Sequence, residues 1–159
     1  MSDIFSPPEW IEARPYQQQA VDSWAKAGGS GVLRMATGTG KTITGLLAAV
    51  RAASALEGRL LLVVAAPYQH LVDQWADEIR EFGAEPVFAY QSRKDWQPRL
   101  ERQILEYNQG SRGICTVVTS HNTVDGGCPI NAPACEWPSD AHCRRSPSSW
   151  LRSYAEWSS

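Results

Sequence analysis

Hydrophobic positions between residues 14 and 124 follow two alternating patterns, one with the spacing of amphipathic helices and one of short, continuous apolar runs. The helical spacing predicts helices that begin near Pro15, Lys41 and Leu71, and another that contains Leu100 and Ile104. The apolar runs predict short strands over residues 31–35, 60–66, 87–90 and 114–118. Strands that alternate with helices of this length form a parallel sheet covered by helices on both faces. The expected fold class is therefore α/β.

The pattern changes after Val124. Between residues 125 and 150, Ile130 is the only member of the Val, Ile, Leu, Met and Phe set, and several prolines interrupt any regular element. Such a segment offers too little apolar surface to offset the entropy of ordering it. We therefore expect an N-terminal extension over residues 1–13, an α/β domain over 14–124, and an irregular, disordered tail over 125–159.

Composition narrows the class of protein. Hydrophobic residues make up 43% of the chain and charged residues 20%, as in soluble globular proteins. A net charge of −2 excludes a small basic nucleic-acid-binding module, so any nucleic-acid contact must come from local groups. The longest apolar run is too short for a membrane span, and the start does not resemble a secretory signal. These features predict a cytoplasmic protein with no membrane partner, whose four cysteines are thiols.

The strongest chemical signal is the glycine-rich sequence that runs from Met35 to Thr42. A loop of this kind between a strand and a helix presents backbone N–H groups and the positive end of the helix to phosphate oxygens. Lys41 would reach the β- and γ-phosphates, and the Thr42 hydroxyl would ligate Mg²⁺. The other expected nucleotide contacts are Thr37, Gly38, Thr39 and Gly40. The general motif has Gly where this chain has Met35, and a glycine-rich turn without a ligand is the structural alternative.

The segment from Ala36 to Thr42 resembles motif I of superfamily-two helicases of the DEAD/DEAH-box type. The likeness is greatest to restriction-enzyme motor subunits and UvrB-like proteins, in which Met before the Ala is ordinary. The resemblance implies a RecA-like P-loop NTPase fold that uses ATP and Mg²⁺. It also implies that the intact protein couples ATP hydrolysis to movement on nucleic acid, more on DNA than on RNA, with possible partner subunits.

Three flanking segments resemble further motifs of the same family. Gln17, in Arg14-Pro15-Tyr16-Gln17, stands where the family reads the adenine edge, and an amide suits that edge because it has both a donor and an acceptor. Alternatively, Gln17 belongs to a run of three glutamines on a solvated helix face. The segment after residue 66 resembles motif Ia, which implies nucleic-acid contacts from Pro67, Tyr68 and Gln74. A weaker resemblance implies phosphate contacts from Thr119 and Ser120, which could also belong to an ordinary polar loop.

The family's second acidic motif, a strand that ends in Asp-Glu, has no clear counterpart. Asp140-Ala141-His142 weakly resembles this motif, but the Glu is missing and no apolar strand precedes the Asp. We therefore expect a truncated motor that binds ATP without hydrolysing it. The tail also contains Cys128, Cys135, His142 and Cys143, but without a Cys-x-x-Cys pair we expect no zinc site.

Two other functions remain as alternatives to the helicase fragment. One is a regulatory module that binds nucleotide and never hydrolyses it, and the other is a phosphate-loop kinase. Stimulation of nucleotide binding or turnover by nucleic acid would distinguish the helicase fragment from both.

Overall fold

The computed structural model describes residues 5–90 and 92–121. Within these residues the elements are α1 (Pro15–Lys26), α2 (Lys41–Ala55), β1 (Leu60–Ala66), α3 (Gln69–Glu81), β2 (Val87–Phe88), α4 (Arg93–Asn108) and β3 (Ile114–Ser120). The predicted helices are confirmed, and α4 begins earlier than its apolar spacing indicated because Trp96 adds a buried turn.

The three strands form one parallel sheet in the order β1, β3, β2. The register between β1 and β3 runs from Leu60 opposite Ile114 to Ala66 opposite Ser120. The central strand β3 is buried along nearly its whole length, as its apolar run predicted, whereas β1 is only partly buried. The predicted parallel α/β sheet is thereby confirmed.

Helices cover both faces of this sheet. On one face, α2 and α3 pack their apolar stripes, including Leu46, Val72 and Ile79, against β1 and β3. On the other face, α4 packs Trp96, Leu100 and Ile104 against Val117 of β3 and its neighbours. Phe5 joins the first core and contacts Phe82 at a ring-centroid distance of 5.8 Å, so part of the N-terminal extension packs on the domain.

The predicted strand at residues 31–35 is wrong, since these residues form no strand. A strand is stabilised by backbone hydrogen bonds to a neighbour. Within the described residues the sheet has only β1, β3 and β2, and none of them pairs with this segment. Val32 is accordingly 47% exposed. The chain thus enters the glycine-rich loop from an irregular segment.

A short connection between α2 and β1 determines where the loop lies. Because α2 ends at Ala55 and β1 begins at Leu60, the helix and the strand run in opposite directions. The N-terminus of α2 therefore lies toward the carboxyl end of the sheet, where α/β proteins bind their ligands.

Candidate nucleotide and nucleic-acid sites

The glycine-rich loop turns into α2 through two residues with left-handed backbone conformations. Gly38 has φ of 79° and Gly40 has φ of 77°, values that side-chain-bearing residues rarely adopt. Between them, the Thr39 hydroxyl donates to the carbonyl of Ala36 at 2.6 Å and closes a tight turn. The two glycines are therefore required by the path of the backbone.

The side chains that the sequence predicted to face phosphate lie at the first turn of α2. Lys41 is the first residue of the helix, and its Nζ donates across the loop to the carbonyl of Met35 at 3.2 Å. Thr42 follows it, half-buried, and its hydroxyl has no hydrogen-bond partner within the described residues. The first backbone amides of α2 lack helical acceptors, as in every helix. This first turn can therefore supply N–H groups, an ammonium and a hydroxyl to one anion and its cation.

The N-terminus of α1 contacts the loop directly. The Tyr16 hydroxyl donates to the carbonyl of Thr39 at 2.8 Å, and Gln17 Nε2 donates to the carbonyl of Gly40 at 3.3 Å. Arg14 completes the group, because its amide donates to Gln17 Oε1 at 3.0 Å and its Nη1 to the Tyr16 hydroxyl at 3.3 Å. Two consecutive loop carbonyls are thus held by side chains from a helix more than twenty residues away in sequence.

Hydrogen bonds to the carbonyl of Gly40 join the loop to both α1 and α2. Besides Gln17 this carbonyl accepts hydrogen bonds from the amide and the hydroxyl of Thr44, each at 2.9 Å. Thr44 is fully buried, whereas Gly40 is partly exposed, so only the Thr44 end of this last bond is shielded from water. Tyr16 and Thr44 were not predicted as site residues. The helical spacing of Thr44 from Gly40 could have indicated its role, whereas no sequence signal pointed to Tyr16.

Gln17 differs from the two glutamines that follow it. It is 4% exposed, whereas Gln18 and Gln19 are exposed to solvent. The alternative in which Gln17 lies on a solvated helix face is therefore wrong. A primary amide can make four hydrogen bonds, and Gln17 uses two of them within the protein. One N–H and one lone pair remain, which is the complement that an adenine edge requires.

At the carboxyl end of β1 the chain presents an exposed aromatic pair. Tyr68 is 63% exposed, and its ring stacks on that of His70 with centroids 5.6 Å apart and planes 9° from parallel. Pro67, half-buried, links this pair to the strand. Trp75 packs against the core, as predicted.

Gln74, one turn further along α3, donates to Glu78 Oε1 at 3.2 Å. Desolvation raises the pKa of the Glu78 carboxyl above its ordinary value of 4.5, while the bond from Gln74 lowers it and the charge of Glu81 raises it. The side chain of Gln74 is therefore already engaged within its own helix.

The carboxyl end of β3 lies beside that of β1, because Ala66 pairs with Ser120. Ser120 and the following His121 are half-buried there. Thr119, in contrast, is fully buried, and its hydroxyl donates to the carbonyl of Ala89 at 2.6 Å. Of the two predicted phosphate contacts, Ser120 lies nearer the surface, whereas Thr119 would have to give up a buried hydrogen bond.

The remaining sequence predictions concern metals, membranes and the tail. Over residues 5–90 and 92–121, no three His, Cys, Asp or Glu side chains are grouped closely enough to hold a metal ion. In the same residues no helix is both long and apolar enough to cross a bilayer. Cys115 is buried, with its thiol 3.6 Å from Gln103 Oε1. The tail, its three cysteines and the segment at Asp140 lie outside the described residues.

A family model for the type III restriction enzyme, res subunit, matches residues 10–125 of the chain. The chain belongs to this family. The match contains the loop, the α1 residues that hold it and both strand ends described above, and it confirms the resemblance to the N-terminal ATPase domain of superfamily-two helicases. Domains of this family generally use ATP with Mg²⁺. No curated protein and no solved structure matches the chain.

Proposed function

We propose that this chain binds ATP together with Mg²⁺ at the loop formed by Thr37, Gly38, Thr39 and Gly40. The observation that carries the proposal is the loop's geometry, in which two left-handed glycines lead directly into a helix that begins with Lys41 and Thr42. Such a loop brings backbone amides close to phosphate oxygens and adds a cation where negative charge is greatest. Family membership supports ATP as the nucleotide.

The residues at the first turn of α2 fit a magnesium ion bound with the nucleotide. Mg²⁺ prefers oxygen ligands and is usually held by one or two protein groups together with phosphates and water. Thr42, which directly follows Lys41 at the start of α2, offers a half-buried hydroxyl that makes no hydrogen bond to any described residue. Bound there, Mg²⁺ would neutralise phosphate charge, while Thr42 would hold it in place. Gln17 would face the adenine with the N–H and lone pair that it has left.

Nucleotide titration with a fluorescent ATP analogue tests this proposal. Replacing Lys41 with Ala removes one charge-assisted contact, so the analogue should bind about 10- to 100-fold more weakly. Lys94→Ala is the matched control, because Lys94 is an exposed lysine on α4. Equal affinity of wild type and Lys41→Ala, or equal losses in both variants, would reject the loop as the site.

We further propose that nucleic acid crosses the carboxyl ends of β1 and β3. Tyr68, Pro67 and Ser120 are exposed or half-buried at adjacent strand ends, and their register is set by the pairing of Ala66 with Ser120. Backbone amides and hydroxyls can hold a phosphodiester without net positive protein charge. Gln74 could join without leaving Glu78, because its second N–H and its amide oxygen remain available, whereas the Thr119 hydroxyl could donate to a phosphate only by leaving Ala89. Fluorescence anisotropy with labelled single-stranded DNA and RNA tests the proposal and the preference for DNA.

Hydrolysis of bound ATP requires chemical groups beyond those that bind it. Phosphate-loop ATPases need an acidic group to orient the attacking water and an arginine to meet the developing charge. Within residues 5–90 and 92–121 no strand ends in an Asp-Glu pair, since β1, β2 and β3 end at Ala66, Phe88 and Ser120. We propose that the chain binds nucleotide without appreciable turnover. Steady-state phosphate release with and without single-stranded DNA tests this, and turnover that depends on Lys41 would refute it.

A further inference from the structure

We infer that Tyr16 is a positioning residue for nucleotide binding, because its hydroxyl fixes the orientation of the loop peptide between Thr39 and Gly40. The inference rests on the proposed function, since it concerns how the same loop is kept ready for phosphate. Tyr16 would act through the backbone of the loop and would not itself need to contact the nucleotide.

The peptide between Thr39 and Gly40 is one that could readily rotate. Gly38 and Gly40 flank Thr39, and glycine tolerates both signs of φ with little steric cost. Within the described residues the carbonyl of Thr39 accepts a hydrogen bond from the Tyr16 hydroxyl and from no other group. The next carbonyl, that of Gly40, is by contrast held by the amide and hydroxyl of Thr44 as well as by Gln17.

The hydrogen bond that holds the Thr39 carbonyl also fixes the direction of the Gly40 N–H. The carbonyl of Thr39 and the N–H of Gly40 belong to one trans peptide, in which these two groups point in opposite directions. With the carbonyl held toward α1 by Tyr16, the amide of Gly40 points to the side of the loop away from α1. A rotated peptide would place a carbonyl oxygen on that side instead, where it would repel a phosphate oxygen.

The Tyr16 hydroxyl is itself oriented. Arg14 Nη1 donates to it at 3.3 Å, so the hydroxyl oxygen accepts from Arg14 while its own proton is directed to Thr39. The ring is 40% exposed at the first turn of α1, and Pro15 before it fixes the start of the helix. Removing the hydroxyl should therefore change this hydrogen bond with little effect on packing.

Tyr16→Phe is the variant that tests the inference. We expect ATP–Mg²⁺ and tripolyphosphate–Mg²⁺ to bind about threefold to tenfold more weakly, because one net hydrogen bond no longer selects the competent loop. The loss should be the same for both ligands, since tripolyphosphate lacks the base and the sugar. Tyr107→Phe, on α4 at the far end of the sheet, removes a tyrosine hydroxyl elsewhere and should change neither affinity.

A merely structural role would show a different pattern. If Tyr16→Phe lowers the free energy of unfolding while both affinities, corrected for the folded fraction, stay unchanged, the inference is overturned. It is also overturned if ATP alone is affected, because the residue would then act on the base. Failure of wild type to bind either ligand, with Lys41→Ala indistinguishable from it, would instead reject the proposed function.

Discussion

Gly40 offers a test of how tightly α1 and the phosphate loop are joined. A Cβ placed on Gly40 would lie 2.9 Å from Gln17 Nε2, whereas a Cβ on Gly38 would meet nothing within 4 Å. The two glycines have nearly the same φ, 77° and 79°, so an alanine carries the same conformational cost at each. Comparing Gly40→Ala with Gly38→Ala therefore isolates the contact with Gln17.

The expected magnitudes follow from these contacts. A left-handed alanine costs about 1–2 kcal/mol at either position. The end of a glutamine side chain can move away, but moving Gln17 breaks its bonds to the Arg14 amide and the Gly40 carbonyl. At about 0.5–1.5 kcal/mol each, their loss should make Gly40→Ala less stable than Gly38→Ala by about 1–3 kcal/mol.

Urea denaturation of both variants measures this difference in the free energy of unfolding. The dependence of that free energy on urea concentration should be the same in both variants. The same pair should then be made in a Gln17→Ala background. There we expect the difference to fall below about 0.5 kcal/mol, because the contact has been removed already. Equal destabilisation by the two alanines in the wild-type background, or a difference that persists without Gln17, would refute the reasoning.

Three further predictions concern the sheet and α3. Gly113→Ala should lower the free energy of unfolding by about 1–3 kcal/mol in urea titrations, because its Cβ would lie 2.7 Å from the carbonyl oxygen of Gly58, and an unchanged midpoint would contradict this. Thr119→Val should cost about 1–3 kcal/mol by leaving the Ala89 carbonyl without its donor, and weaker DNA binding at full stability would instead favour the phosphate contact. Burial raises the pKa of Glu78 above 4.5, so the folded state binds this proton more tightly and stability falls as pH rises from 4.5 through the folded pKa. Glu78→Gln should therefore raise Tm at neutral pH, with a gain that shrinks below pH 4.5, and a gain independent of pH would argue against desolvation as its cause.

The sequence predicted the elements whose stability is local or whose apolar run is long. The runs at β1 and β3 are continuous and both form strands, although β1 is only partly buried, and the stripe of α3 repeats at helical spacing. The segment at residues 31–35 also contains Val32, Leu33 and Met35, but a strand depends on a neighbour that the segment's own residues do not specify. Pairing is a property of the sheet, so the absence of a strand at residues 31–35 could not be predicted from that segment alone.

In the candidate site, too, local sequence patterns were predicted and contacts between distant segments were not. The order of Gly38, Gly40 and Lys41 is a local pattern, and the structure places these residues together at the start of α2. The contact between Tyr16 and Thr39 spans 23 residues, and nothing in the composition of either segment signals it. The burial of Gln17 had a weak signal, because Gln17 and the buried Val21 are separated by one helical turn. Among three consecutive glutamines, that spacing and the family resemblance set Gln17 apart.

The polar residues predicted for binding fall into two groups with different roles. Thr42 and Tyr68 have side chains that no described backbone carbonyl engages, so they can meet a ligand without breaking the fold. Gln17 and Thr119 are buried and bonded to carbonyls of other elements, at Gly40 and Ala89. A substitution in the second group changes the shape of the site as well as its chemistry. A loss of affinity in Gln17 or Thr119 variants therefore identifies a ligand contact only if the free energy of unfolding is unchanged, whereas for Thr42 or Tyr68 variants the affinity alone is decisive.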